Sequence, residues 1–337
     1  MKTAKSQQEW ANPQPLKRPW GIGGSDIGAI VGLSPYKSAV DVWAEKVRGA
    51  SSTDSAAIHL RYGQHLEPFV AQEYERVTGN QTHELPKTLR HKTYAHLFAH
   101  VDRLVSVKGA PVLDKRGSVC TTTLLECKTA SAFSSDQWGQ AWTDEVPAAY
   151  LAQCVWYTTI TGCEEAHLAV LLGNSDFRIY RVCHDEELGQ SLIDAALSFW
   201  DRHVLTGVPP EASTRTEVVR LYPKEVSGSA VEACAQTHSQ LKKLSRIQRL
   251  TKSLEARADL IKDQLAVSMG GAERLCAQGK TLATWRSCAP TQRVDVTRLR
   301  RDRPDIVREY IVETPAARRL VLAGATSLEL NNTGARK

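Results

Sequence analysis

The sequence predicts an α/β protein, in which a mixed central β-sheet is flanked by helices and followed by a basic, mainly helical C-terminal appendage. Helical and strand-like segments alternate up to about residue 206 in the order αα–βββ–α–ββ–α, which is typical of a sheet covered by helices. A proline-containing linker at 207–215 separates them from a long basic helical stretch. A chain of 337 residues has room for one domain and an appendage of roughly 100–150 residues.

Before the sheet, the sequence predicts a lead-in and three helices. Residues 1–17 are polar and contain two prolines, so we expect them to be a poorly ordered lead-in to a domain spanning 18–206. A glycine-rich segment follows, in which Ser25 is the expected N-cap of the first helix. The helices are expected at 27–33, 38–47 and 58–77, the last kinked or restarted at Pro68. This last helix is expected to carry an apolar stripe at helical spacing, made of Leu66, Phe69, Val70, Tyr74 and Val77.

Short apolar runs supply the strands of the predicted sheet, and turn residues rich in glycine, proline and aspartate separate them. Two segments with alternating polarity around a Gly-Asn-Ser-Asp turn indicate a β-hairpin near the end of the domain. The expected segments are strands at 95–107 and 119–127, a helix at 147–162, a hairpin at 166–172 and 176–182, and a helix at 186–205.

Residues 216–337 form a region whose charge differs from that of the rest of the chain. This region carries 22 basic and 13 acidic residues, against 21 and 24 in the remainder. A helix predicted over 231–267 has apolar residues at heptad-like spacing, and five cations without an acid between Gln240 and Ser253. The positive charge favours contact with DNA, through this helix or the arginines at 298–303. Packing or subunit contact through the apolar residues is the alternative.

Cysteine usage and hydropathy exclude several protein classes. The eight cysteines are scattered and contain no C-x-x-C pair, which argues against a zinc ribbon and against a disulfide framework. No apolar run approaches the length of a membrane span, and the N-terminal residues lead into no signal-peptide core. We therefore expect a cytoplasmic protein with reduced thiols and no membrane partner.

The pattern that points most directly to chemistry is the pair Glu126 and Lys128. Leu124-Leu125-Glu126 is typical of a buried strand, and side chains two residues apart on a strand share a face. Asp102 follows another strand-like segment upstream. Two carboxylates and a lysine at strand ends suit a metal-dependent phosphodiesterase. The acids bind divalent cations, and the ammonium orients the attacking water or stabilises charge on the phosphorane.

Six motifs carry a resemblance to a known family. They are G-I-G-G-S-D-I at 21–27, G-L-S-P-Y at 32–36, G-x-x-x-E-P at 63–68, Asp102, L-E-C-K at 125–128 and V-P-x-x-Y-x-x-Q at 146–153. In this order they resemble the YqaJ-type viral recombinase family, relatives of phage λ exonuclease within the PD-(D/E)xK nuclease superfamily. The resemblance covers about 18–205 and implies the restriction-endonuclease-like core of that superfamily. The basic C-terminal region is similar to tails on longer phage members.

The resemblance implies a metal site with a neighbouring lysine. Asp102 matches the aspartate that binds both metal ions, and Glu126 matches the other carboxylate ligand. The backbone carbonyl of Cys127 would complete the coordination, while Lys128 would position and help activate the water. Two Mg²⁺ ions per site are implied, with Mn²⁺ as a substitute.

Five further residues match positions that line the family's site. Glu67 matches a glutamate that completes the acidic pocket through the second metal. Gln153 and Tyr150 match positions that hydrogen-bond the scissile strand or the water. Arg18 and Ser25 match a pocket for the terminal 5′-phosphate, and a helix N-terminus with a nearby arginine suits a phosphate dianion. An N-cap role alone is the alternative explanation for Ser25, and a surface position alone for Arg18.

The sequence departs from the family pattern around Asp102. The family usually has Pro-Asp-Gly where this chain has Val101-Asp102-Arg103. The turn after the aspartate therefore lacks its glycine, and Arg103 is expected either to enter a strand or to reach a phosphate. His100 stands where relatives often have a small polar residue, and we interpret it as a structural histidine.

The implied activity is 5′→3′ digestion of one strand of linear double-stranded DNA, which releases 5′-mononucleotides and leaves 3′ single-stranded overhangs for recombination. The resemblance also implies a toroidal homotrimer and a single-strand annealing protein as partner. A structure-selective endonuclease and a non-catalytic DNA-binding scaffold are the alternatives. An iron–sulfur helicase-associated nuclease is excluded, because the cysteines are too dispersed to supply four ligands.

Overall fold

The computed structural model describes residues 21–49, 54–85, 87–312 and 318–323, with the backbone alone over 54–60. Two compact units divide the chain, one up to Pro223 and the other from Lys224 onward. The predicted lead-in at 1–17 and Arg18 lie outside the described residues.

The first unit contains a mixed α/β arrangement of helices and strands. Its described helices are α1 Gly24–Ile30, α2 Ala39–Arg48, α3 Asp54–Thr78, α4 Ala148–Thr161, α5 Glu186–Phe199 and α6 Arg215–Leu221. Its described strands are β1 Gln81–His83, β2 Leu89–Arg90, β3 Phe98–Ala99, β4 Arg103–Ser106, β5 Thr123–Ala130, β6 Glu165–Leu172 and β7 Asp176–Cys183. The predicted hairpin and the helix before it are confirmed within one residue. The helix predicted at 186–205 ends as an α-helix at Phe199 and continues as a π-helical turn over Trp200–Val204.

Five strands form the central sheet in the order β1-β4-β5-β6-β7. β5 and β6 are parallel, with Glu126 opposite Leu168, and the other three pairings are antiparallel. A parallel pair needs a crossover connection, and α4 provides it. β2 and β3 pair with each other outside this sheet. The predicted mixed sheet flanked by helices is therefore confirmed.

The two faces of β5 contact different helices. Leu124 belongs to the larger apolar core, and most of the buried side chains of α4 belong to the same core. Leu125 and Cys127 belong to a smaller core with Tyr74 of α3. Because side chains alternate along a strand, Glu126 points toward α4. The strand therefore places its one buried acid between sheet and helix.

Glycines let α1 approach the sheet and α4 closely. Gly21 has a φ of +146°, and a Cβ there would collide with the backbone carbonyl of His96, so only glycine fits. Gly24 lies against the ring of Tyr157, where a Cβ would also overlap. These contacts hold α1 against α4 beside the acidic end of β5.

The expected N-cap at Ser25 is wrong. The N-cap is Gly23, and Ser25 is an exposed residue in the first turn. Asp26 explains the shift, because its carboxylate accepts a hydrogen bond of 3.2 Å from the N–H of Gly23 and thereby caps the helix start.

Helix α3 differs from its prediction in extent and in its buried face. It begins at Asp54, and Pro68 lies inside one continuous helix instead of breaking it. Val70, Ala71 and Tyr74 are buried, whereas Leu66, Phe69 and Val77 of the predicted apolar stripe are exposed. The buried face is therefore narrower than the stripe, because α3 contacts the sheet only through the small core with Leu125 and Cys127.

The second unit is built around one long helix. Its described elements are α7 Ala235–Met269, β8 Arg274–Ala277, β9 Lys280–Thr284, α8 Val296–Asp302 and α9 Pro304–Glu309. β8 and β9 form an antiparallel hairpin with a register shift after Leu275. None of the described helices of either unit is long and apolar enough to cross a membrane.

Candidate active site

Glu126 is the most buried acid at the end of the sheet, with 2% of its surface exposed. Its Oε1 accepts a hydrogen bond of 2.6 Å from Gln153 Nε2 on α4 and also contacts Lys128 Nζ. Gln153 Nε2 lies 3.0 Å from the hydroxyl of Tyr157, one helical turn further along α4. Glu126 Oε2 is buried and has no hydrogen-bond partner. One oxygen is thus fixed by the protein and the other needs a donor or a cation.

Asp102 lies between β3 and β4 and meets the neighbouring strand at the same place. Its Oδ2 accepts a hydrogen bond of 2.8 Å from the backbone N–H of Cys127. Burial, and then the negative charge of Glu126, raise the pKa of Asp102 well above its ordinary value. Burial also raises the pKa of Glu126, although Lys128 opposes the shift. The two carboxylates therefore repel each other, and a cation between them would relieve both.

Lys128 supplies a positive charge on the same side of the sheet as Glu126. Burial opposes its charged form, but the negative charges of Glu126 and Asp102 raise its pKa above the ordinary value. Its Nζ lies 5.3 Å from the ring centroid of Tyr150, whose ring stacks on Trp138 with centroids 5.5 Å apart. The ammonium therefore stays charged at neutral pH and lies at a fixed place beside the acids.

The residues at this site fit a divalent metal ion of the kind that the resemblance implies. Mg²⁺ and Mn²⁺ prefer oxygen ligands, and Asp102 and Glu126 offer two carboxylates with one unpartnered buried oxygen. The N–H of Cys127 faces Asp102, and in an extended strand the carbonyl of a residue points to the same side as its N–H. Among the described residues, however, no group of three or more His, Cys, Asp or Glu side chains could hold a metal by itself. Backbone, water or substrate oxygens would complete the coordination.

Glu67 lies near these acids but is engaged by another residue. Its Oε1 is 2.6 Å from Nη1 of Arg103, the first residue of β4. Arg103 also contacts Glu84 at 3.1 Å, and a pocket lined by these three side chains, His100 and Asp102 opens beside the acids. The expectation that Arg103 enters a strand is confirmed. His100 lies 3.1 Å from Thr88 Oγ1 through its Nε2.

The structure brings together Glu67, Asp102, Glu126, Cys127, Lys128, Tyr150 and Gln153 at one end of the sheet. Ser25 is exposed on α1, and its predicted partner Arg18 lies outside the described residues, so the phosphate pocket stays a prediction.

Sequence reasoning missed two residues of this site. Tyr157 was not among the predicted site residues, although its place four residues after Gln153 puts both on one face of α4. The ion pair of Arg103 with Glu67 had no sequence signal, because 36 residues separate the partners.

Asp26 contrasts with Asp102, because it is a more deeply buried aspartate with opposite electrostatics. Lys37 lies 2.9 Å and Lys46 2.8 Å from its carboxylate oxygens. Although burial favours the neutral form, these two lysines lower the pKa of Asp26 to about 2. Its charge stabilises the fold above the ordinary aspartate pKa, and this stabilisation is lost as pH falls toward about 2.

We expect Asp102→Asn to stabilise the metal-free protein. With a raised pKa, the Asp102 charge destabilises the fold at pH 8, and this cost disappears as pH falls to the ordinary aspartate pKa. Asparagine removes the charge and can still accept the Cys127 hydrogen bond. Thermal unfolding in EDTA at pH 8 should show a higher Tm for the variant, by about 2–4 °C for each kcal/mol gained in the free energy of unfolding. This difference in Tm should decrease as the pH is lowered toward pH 4.

Asp26→Asn is the matched control and should lower Tm at pH 8, since it removes the partner of two buried lysines. A loss of stability in Asp102→Asn at pH 8 would contradict the repulsion between the two site carboxylates.

Comparisons with known proteins agree with the motifs. Residues 16–164 match the model of the YqaJ-like viral recombinase domain. The uncharacterized protein YqaJ of Bacillus subtilis (strain 168) is 28% identical over 315 residues, 92% of each chain. The alkaline exonuclease LHK-Exo from Laribacter hongkongensis aligns with a TM-score of 0.42 and 15% identity over 60% of this chain and 94% of its own. A phage related exonuclease from Haemophilus somnus 129PT gives a TM-score of 0.39, with 14% identity over 56% and 96%.

The resemblance inferred from the six sequence motifs is therefore confirmed. Residues 16–164 of the chain are similar to the YqaJ-like viral recombinase domain.

Proposed function

We propose that this protein is a metal-dependent 5′→3′ exonuclease that digests one strand of linear double-stranded DNA. It releases 5′-mononucleotides and leaves 3′ overhangs. The observation that carries the proposal is the buried, unpartnered oxygen of Glu126 beside Asp102, with Lys128 on the same strand. Two neighbouring carboxylates that could bind a cation, next to a fixed ammonium, suit phosphodiester hydrolysis better than a purely stabilising role.

The residues divide the work of the reaction. When bound, Mg²⁺ or Mn²⁺ would supply a lowered pKa of water and neutralisation of charge on the phosphate; the resemblance implies two such ions per site. Asp102 and Glu126 would hold the metal, and Gln153 holds Glu126 in the orientation that exposes its second oxygen. Lys128 stays protonated, so it orients a water or a phosphate oxygen and stabilises negative charge. Tyr150 shields that ammonium on one side.

We expect Asp102→Ala and Lys128→Ala to lose cleavage while they keep duplex affinity. Removing a group that orients the reaction costs about 10²–10⁴ in rate, whereas binding depends on contacts along the whole phosphate backbone. The measurement is release of nucleotides from an end-labelled linear duplex, with affinity determined separately in Ca²⁺.

Asp136→Ala and Lys108→Ala, which change exposed residues of the same types, are the controls. Cleavage near the wild-type rate in either site variant would reject the site assignment. Absence of cleavage in the wild type under Mg²⁺ and Mn²⁺ would favour the non-catalytic scaffold.

The proposed polarity depends on Arg18 and Ser25 as a pocket for the terminal phosphate. A duplex end with a 5′-phosphate should be digested faster than one with a 5′-hydroxyl, because the pocket would hold the dianion while the next bond lies at Asp102 and Glu126. Arg18→Ala should remove most of that difference, and Lys17→Ala, one residue earlier, should not. Rates are measured on duplexes that differ only in the end group.

Equal rates on the two ends in the wild type, or digestion from the 3′ end, would overturn the pocket and leave the nuclease proposal intact. Cutting of a covalently closed duplex, which has no end, would instead favour the structure-selective endonuclease.

DNA contact by the C-terminal unit is the next part of the proposal. Arg298, Arg301 and Arg303 pair with acids of their own helices, Asp302 and Asp305, so their charge is partly compensated. In the described part of the chain no ion pair involves the five cations of α7, which makes α7 the better candidate. They are Lys242, Lys243, Arg246, Arg249 and Lys252.

The same helix supports the alternative role in subunit contact. Ile247, Leu250, Leu254, Ile261 and Leu265 recur at helical spacing and are all exposed, with Leu254 at 56%. Such a row is what a second helix would cover. The two roles use different side chains and predict different effects of neutralising the cations.

Replacing the five α7 cations by glutamine in the full chain should weaken duplex binding and flatten its salt dependence. For each phosphate that α7 no longer neutralises, the slope of log affinity against log salt should decrease by about 0.9. The measurement is a salt titration of binding, with light scattering to follow assembly. Arg257→Gln with Lys262→Gln, on the same helix, is the control. An unchanged slope with a changed mass would assign α7 to subunit contact.

The remaining partners are proposed on the resemblance alone. We propose a homotrimeric ring that encloses the duplex, and a single-strand annealing protein that binds the 3′ overhang, both in the cytoplasm. Cyclic closure is a common way for identical chains to assemble, and enclosure would give processivity without tight binding.

A further inference from the structure

Arg103 is a buried cation that the proposed chemistry leaves without a role. It is the first residue of β4, directly after Asp102, with 7% of its surface exposed. A guanidinium is always charged in proteins, and burying a charge is costly unless polar partners surround it. Its position in the pocket beside Asp102 therefore requires an explanation.

The contacts of Arg103 are those of a cation bound between oxygens. Nη1 lies 2.6 Å from Glu67 Oε1 and donates a hydrogen bond of 2.6 Å to the backbone carbonyl of Asp102. Nη2 lies 3.1 Å from Glu84 Oε1. Carboxylate and carbonyl oxygens are also the ligands that divalent ions prefer, so one nitrogen occupies a place between two potential metal ligands.

On the other side of Asp102 the nearby cation is Lys128, which contacts Oε1 of Glu126. There Glu126 Oε2 is buried and unpartnered, and the Asp102 and Glu126 carboxylates face each other. The acidic cluster thus has one side already neutralised by the protein and one side that requires an added ion.

The net charge of the acidic cluster shows how many divalent ions it can accept. The cluster holds four carboxylates and two cations in direct contact with them: Glu67, Glu84, Asp102 and Glu126, with Arg103 and Lys128. One divalent ion changes the sum of charges from about −2 to about 0, whereas a second ion would raise it to about +2 without a compensating anion. The second ion is therefore disfavoured as long as Arg103 stays in place.

We propose that Arg103 occupies the second cation position of this site. The free protein then binds one divalent ion tightly, between Asp102 and Glu126, and a second ion binds only when Arg103 leaves Glu67. The proposal rests on the proposed function, because it assigns the metal sites of the same active centre. It also explains why an arginine can stand where the family usually has glycine, since it balances Glu67.

Counting bound Mn²⁺ on the full chain tests the proposal without any measurement of activity. Titration calorimetry, supported by paramagnetic resonance of free Mn²⁺, should give one tight ion in the wild type at pH 8. Arg103→Gln should add a second ion, or tighten the weak one at least tenfold. Arg103→Lys keeps a cation and should stay at one ion. Arg76→Gln, an exposed arginine that pairs with Glu73 on α3, is the matched control.

Variants of Glu67 provide a second test of the same proposal. Glu67→Gln alone should leave the single tight ion unchanged, and Arg103→Gln with Glu67→Gln should lose the added one. The proposal would be overturned if the wild type bound two equally tight ions or none. It would also be overturned if folded Arg103→Gln bound the same number of ions as the wild type, or if Glu67→Gln lost the tight ion. If Arg103→Gln fails to fold, the wild-type count and the Glu67→Gln result decide.

Failure of the proposed function is distinguishable from failure of this inference. A protein that binds one Mn²⁺ through Asp102 but does not cleave DNA keeps the Arg103 assignment and loses the exonuclease. A protein that cleaves DNA but binds two Mn²⁺ equally tightly keeps the exonuclease and loses the Arg103 assignment.

Discussion

Repulsion between Asp102 and Glu126 is the constraint around which this end of the sheet is arranged. Glu126 is buried and Asp102 is half-buried, and the charge of Glu126 raises the energy of the Asp102 charge. Lys128 and Gln153 hold one oxygen of Glu126, and Tyr157 in turn contacts Gln153. That chain of contacts requires α4 to lie close to β5, which the parallel β5–α4–β6 crossover provides. The geometry of the candidate site is therefore a consequence of where a parallel pair must place its helix.

Asp26 and Asp102 show how the same residue type can serve stability or binding. Asp26 has two lysines at hydrogen-bond distance and caps α1, so its charge holds two helices together. Asp102 has a backbone N–H and a neighbouring acid, so its charge costs stability until a cation arrives. Sites that perform chemistry are commonly destabilised in this way, because groups arranged for a ligand are frustrated without it.

Patterns among neighbouring residues in the sequence predicted those parts of the structure that depend on neighbouring residues alone. The β6–β7 hairpin and the Glu126/Lys128 pair followed from alternation along strands. The N-cap at Ser25 was wrong because the carboxylate of Asp26 caps the N–H of Gly23 instead. The apolar stripe of α3 was too wide, since only tertiary contact decides which part of a helix meets the sheet. The Arg103–Glu67 ion pair could not be predicted for the same reason, because only the fold brings the two residues together.

The position of Arg103 has a consequence for the order in which ligands bind. While its guanidinium holds Glu67, the cluster is nearly neutral after one divalent ion, and a further cation would be repelled. A DNA phosphate that enters the pocket adds negative charge beside Asp102 and gives Arg103 an alternative, bidentate partner. Glu67 would then be released at the moment when a substrate is present. Under the proposal for Arg103, the site would couple its second metal ion to its substrate, because the phosphate that needs the ion would also remove the arginine that excludes it.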